Sequence, residues 1–181
     1  MDTTLEFAAA LKASLRDCGY SEQTEGNIGG VDYAAVLSTP RRSPTKFVCA
    51  VAQVPRGVRG PDRVGEFVTG IRRGLARRFV WFPWFNRLGT FTVLLVAHDL
   101  FEELRGQEGR FIDQGGMHVN VLLGTVLVDL DTFQTRADYT WDLRGGGEQF
   151  RRIHDSVEDW CSRYRRPNRL VWTRGRAVQV A

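Results

Sequence analysis

The chain has 181 residues and a net charge of +4, which makes it one domain of ordinary size, long enough to bury about 70 percent of its unfolded surface without a staple. Its three cysteines (Cys18, Cys49, Cys161) stand far apart with no C-x-x-C pair, which argues against a disulfide frame or zinc site and for buried free thiols in a reducing cytoplasm. No run approaches the ~20 apolar residues of a membrane span, and Asp2 and Glu6 near the start do not suit a signal peptide; a single globular cytoplasmic domain over residues 1–181 is expected.

Thr3-Thr4-Leu5-Glu6 has capping-box spacing. The helix that follows carries Phe7, Ala8, Leu11, Leu15 and Cys18 on one stripe, and Gly19 is placed to end it in a left-handed conformation. Ser21 to Gly30 is polar and glycine-rich and reads as a loop. Its Gly26, Gly29 and Gly30 form no dinucleotide fingerprint, since no strand precedes and no helix follows. Val31–Thr39 and Lys46–Val54 read as an antiparallel pair joined by a basic turn. Pro61 suits the first turn of a second helix, whose Val64, Phe67, Val68, Ile71, Leu75 and Phe79 fall in a narrow arc opposite Glu66, Arg73 and Arg77.

Thr90 to Ala97 is almost continuously apolar, the pattern of a central strand buried on both faces. Leu100–Gln107 suits a short helix. Met117–Asp129 is a second long strand, and Thr132–Asp142 alternates Phe133, Ala137, Tyr139 and Trp141 with polar residues, as a strand with one wet face would. Gly145-Gly146-Gly147 leads into a helix with Phe150, Ile153, Val157, Trp160, Cys161 and Tyr164 on one stripe. Pro167 stops it, and Leu170–Val180 looks like a hairpin around Arg174-Gly175. The expected fold is α+β (mixed α/β): one mixed, largely antiparallel sheet of about five to seven strands packed by three main helices, with a crossover through the second helix.

The order helix, strand, strand, with Asp32 on the first strand and the second ending at Gln53, resembles the core of the PD-(D/E)XK nucleases. Those enzymes use a carboxylate on one strand and Glu-x-Lys on the next to hold a divalent metal. Val51-Ala52-Gln53-Val54-Pro55 has neither the acid nor the lysine, so the resemblance implies a degenerate nuclease-like core without the metal site. No metal or cofactor is expected.

Charge is distributed in blocks. Residues 41–88 carry a net +9, and 144–181 a net +5, against −4 and −6 in the other two blocks. Only Lys12 and Lys46 are lysine, a ratio that coding bias explains as readily as guanidinium chemistry. Arg56, Arg59 and Arg63 cluster at a helix start, where amides and dipole favour an anion. Arg73 and Arg77, with Arg72 and Arg78, extend the patch toward Phe79, Trp81, Phe82, Trp84 and Phe85. Phe79 and Phe82 are expected to face the core and Trp84 or Phe85 to remain for a partner. The plainer alternative is solvated arginines beside a core segment.

His98-Asp99 lies at the end of the buried strand, where α/β sheets often build sites. A histidine there suits a general base, with Asp99, Asp129 or Asp131 as the orienting or metal-binding group; a histidine that merely caps the strand is the plainer alternative. Asp129-Leu130-Asp131 invites comparison with the D-x-D-x-T phosphatase loop, but Phe133 stands at the threonine position, and a strand-end turn is the simpler reading.

The leading functional expectation is therefore a non-enzymatic module that binds a partner protein, or a second copy of itself, through the basic, aromatic-flanked surface (Arg56, Arg59, Arg63, Arg73, Arg77, Trp81, Trp84, Phe85). Nucleic-acid binding by the same surface is the first alternative, and a hydrolase centred on His98 and Asp99 the second.

Overall fold

The computed structural model describes residues 3–23, 26–40, 45–80, 87–111, 120–139, 146–165, 170–173 and 176–179. Helix α1 (Thr3–Asp17) precedes two two-residue strands, β1 (Ser21–Glu22) and β2 (Asn27–Ile28), and then β3 (Val31–Ser38) and β4 (Thr45–Gln53). Helix α2 (Gly60–Phe79) crosses to β5 (Arg87–Val96), which is followed by the short α3 (His98–Glu103) and a 3-10 turn at Glu108–Phe111. Strands β6 (Asn120–Asp129) and β7 (Thr135–Tyr139), helix α4 (Gly146–Tyr164), and the hairpin of β8 (Leu170–Thr173) and β9 (Arg176–Gln179) complete the order.

The main sheet is mixed and runs β1-β3-β4-β5-β6-β7, with β2 also paired to β3. Both neighbours of β5 are parallel to it; the other pairings are antiparallel. The α2 crossover makes β4 and β5 parallel, because a connection of that length returns the chain to the starting edge. The expected α+β architecture is thus present. The segment from Ser21 to Gly30 departs from the expected loop: Ser21↔Ser38 and Asn27↔Asp32 add two ladder fragments to the edge of β3. Two-residue strands carry no periodicity from which to read them.

Helices cover both faces of the sheet, and the continuous apolarity of β5 follows from that. Phe91, Val93 and Leu95 point into a core closed by α1 (Phe7, Leu11, Leu15) and α4 (Phe150, Ile153, Val157, Trp160). Leu88, Leu94 and Val96 point the other way, into a core closed by α2 (Val64, Val68, Ile71, Leu75) and α3 (Leu100, Phe101). Each of these fully buried aliphatics contributes roughly 1.5–3 kcal/mol. In the first core Phe7 meets Trp160 edge-on at 4.9 Å, and Tyr139 stacks on Phe150 at 4.3 Å.

α2 lies close over the β2–β3 turn because two glycines meet there. A Cβ on Gly29, whose φ is +65°, would lie 2.8 Å from the Cα of Gly74. Phe79 is half-buried at the end of α2 with the Lys46 ammonium 4.7 Å from its ring centroid. Tyr164, expected on the buried stripe of α4, is 46 % exposed, since it lies at the last residue of that helix. Cys49 and Cys161 are buried free thiols whose pKa values burial pushes up to about 12, and Cys18 is half-buried. No helix among the described residues is long and apolar enough to cross a membrane.

Candidate functional site

Three consecutive strands, β4, β5 and β6, run parallel, so their carboxyl ends meet at one edge of the sheet. The register sets Gln53 beside Leu95 and Val96 beside Asp129. Beyond β5 the chain enters α3 with His98; beyond β6 it turns sharply through 130–134 into β7. Phe133 holds a left-handed φ of 58° in that turn, and the Phe133 amide donates to the Asp129 carbonyl at 2.9 Å. The ring of Phe133 packs on Trp160 at 5.5 Å, which repays the unfavourable backbone conformation with apolar contact.

Asp129 is the organising residue of this edge. Its side chain is fully buried, where an ionised carboxylate survives only if its oxygens are bonded. The amides of Asp131 and Thr132 donate to Oδ1 at 2.8 and 3.3 Å. The Thr132 hydroxyl donates to Oδ2 at 2.5 Å, and His98 Nδ1 lies 2.7 Å from the same oxygen. A carboxylate offers about four acceptor positions, and all are used. Burial pushes the Asp129 pKa up, but the bonds from Thr132, His98 and the two amides outweigh it and leave the group ionised below the usual aspartate value. So saturated a carboxylate is suited to orient a neighbour rather than to attack a substrate or bind a metal.

The neighbour it orients is His98. With Nδ1–H directed at Asp129, the lone pair of the neutral ring sits on Nε2, and the side chain is 52 % exposed. The hydrogen bond to Asp129 and its charge raise the His98 pKa above the ordinary value, with smaller contributions from Glu102 and Asp131. The backbone is held as well, because the His98 amide donates to Asp131 Oδ2 at 3.2 Å. These contacts bring three of the four candidate residues, His98, Asp129 and Asp131, into one cluster.

Asp99, the sequence neighbour of His98, is not the orienting group. Its carboxylate pairs with Arg59 and accepts the Leu100 amide at 2.9 Å, which hold it below the usual aspartate range. Helical geometry sends adjacent side chains in different directions, so the expected His98–Asp99 unit separates and Asp129, 31 residues along, takes the role.

The arginine candidates divide. Arg59 pairs with Asp99 and Arg63 with Glu66, and the nearby Asp62 pairs with Arg110, so acids interleave with the expected anion cradle at the start of α2. Arg56, Arg73 and Arg77 are exposed and make no ion pair among the described residues. Trp81, Phe82, Trp84 and Phe85 lie outside the described residues. Asp32 bonds Asn27 at 2.6 Å, Gln53 is exposed, and among the described residues no three His, Cys, Asp or Glu side chains gather in a way that would hold a metal ion.

One residue escaped the sequence reading. Arg136 of β7 donates to the Phe101 carbonyl and to Glu102 Oε1, both at 2.7 Å, and lies 4.0 Å over the Phe101 ring. On an alternating strand it looks like a solvated polar residue, yet it is only 18 % exposed. No family model, curated protein or solved structure matches the chain.

Proposed function

We propose that the carboxyl edge of the parallel strands is a proton-transfer site and that the protein is a hydrolase working through His98. The single observation that supports this is the buried, fully bonded Asp129 carboxylate aimed at an accessible imidazole. In this reading neutral His98 takes a proton from water at Nε2 as the water oxygen bonds to an electrophilic carbon or phosphorus. Asp129 stabilises the imidazolium that forms, and the same Nε2–H then protonates the leaving group. The raised pKa makes His98 a stronger base that is free at a higher pH than an ordinary histidine. The test is a panel of activated carboxylic and phosphoric esters, comparing the wild type with His98→Gln. A general base of this kind is worth about 10²–10⁴-fold, and kcat/KM should rise with pH through a midpoint above the ordinary histidine value. Equal rates in the two proteins remove the reading.

A second reading, a non-enzymatic module that holds an acidic partner protein, is favoured by Arg73 and Arg77, exposed one turn apart on α2 and without ion pairs among the described residues. Nucleic acid as the partner would announce itself by affinity that falls steeply with salt as counterions are released.

A further inference from the structure

α3 has six residues, too few to be stable alone. Its Leu100 and Phe101 are buried, and they set its height over the sheet. The burial of Leu100, Phe101 and Leu104 fixes which face of α3 meets the sheet, but apolar contact is non-directional, and the fine orientation that brings the ring of His98 onto Asp129 is set by directional contacts. Apart from the Arg59–Asp99 ion pair, which reaches α3 from the start of α2, those directional contacts come from one hairpin. At its start, α3 is bonded by Asp129 and Asp131, at the end of β6 and in the turn beyond it. At its finish it is bonded by Arg136 of β7, whose register partner is Leu127, two residues before Asp129 on β6.

The guanidinium makes three different contacts with the last turn of α3. It satisfies the Phe101 carbonyl, one of the acceptors that a helix end leaves unpaired, it pairs with Glu102, and it lies on the Phe101 ring. Glu108 Oε1, 3.9 Å from Nε, extends the clamp to the 3-10 turn.

We propose that Arg136 is a positioning residue: by locking the end of α3 onto the β6–β7 hairpin, it holds His98, at the other end, in register with Asp129. As a contribution to catalysis this rests on the hydrolase reading, but the geometry is measurable without any substrate. The experiment is an NMR titration of the His98 ring in the full chain, wild type against Arg136→Met, with amide shifts of the sheet as the check on folding. Loss of positioning frees the ring from Asp129, so the midpoint should fall toward the ordinary histidine value of 6.5. Loss of a nearby positive charge alone would move the midpoint up, so the two explanations differ in sign. A midpoint that stays or rises overturns the proposal. Arg136→Lys keeps the charge but not the fork; it should give a smaller fall in the same direction, and it decides the matter if the methionine variant does not fold. If the midpoint falls in the Arg136 variant while His98→Gln hydrolyses esters as well as wild type, positioning stands and the hydrolase reading is lost.

Discussion

The carboxyl edge of the parallel strands and the outer face of α2 both present charged side chains to solvent, but they are built differently. At the edge, Asp129 is buried, its acceptor positions are filled, and one accessible group, His98, is fixed in direction. On α2, Arg73 and Arg77 are exposed at the ends of flexible stems, and no contact among the described residues gives them a direction. Directed chemistry requires the first arrangement, because a general base works only from a defined position. Long-range attraction of an acidic partner requires no more than the second. A count of arginines along the chain favours α2 as the functional surface, whereas the hydrogen bonds favour the sheet edge.

The largest expected effect separates the two regions by stability. Asp129→Ala removes the acceptor from two amides, a hydroxyl and an imidazole, and should cost about 3 kcal/mol in denaturant unfolding, since bonds to a charged acceptor contribute about 1.5–3 kcal/mol each and partly exposed donors recover water. A change under about 0.5 kcal/mol would mean that the carboxylate is not the organising group.

pH should sharpen the same contrast. Asp129 has a lowered pKa, so its contribution is complete above the ordinary aspartate value of 3.8 and is lost as the pH falls through the lower folded value. His98 has a raised pKa, so its contribution is complete below 6.5 and is lost as the pH climbs through the higher folded value. The Asp129–His98 bond should therefore support the fold most fully between those two values. Melting temperatures followed from below pH 3.8 to above pH 6.5 should fall off at both ends in wild type, and the fall at each end should be smaller in the Asp129→Asn, His98→Gln double variant.

The smallest effect belongs to α2. Arg73→Glu with Arg77→Glu should change stability within about 0.5 kcal/mol, as surface substitutions do, and should leave the His98 titration unmoved. A loss above 2 kcal/mol would show that the outer face of α2 is structural after all.

Much of the fold was legible because burial leaves a period. The stripes Phe7-Leu11-Leu15 and Val64-Val68-Ile71-Leu75, the two-faced apolarity of β5 and the α2 crossover all follow from the sequence pattern. The strand edges around Ser21 and Asn27 were not, since two residues hold no pattern. At the candidate site, position on a strand end picked out His98, and Asp129 stood among its possible partners. The choice between Asp99 and Asp129 rests on the parallel register that sets Val96 beside Asp129, and local sequence does not contain that register. Arg136 was hidden for a related reason: a polar residue on an alternating strand looks solvated until a short helix is known to lie over it.

The most direct test of the dyad is the NMR titration of the His98 ring in the wild type and in Asp129→Asn, with the ring nitrogen shifts reporting the tautomer. The account predicts a wild-type midpoint above 6.5 with the neutral ring protonated at Nδ1, and a fall toward 6.5 with mixed tautomers in the variant. A wild-type ring that titrates at the ordinary value, with no response to Asp129→Asn, would contradict it.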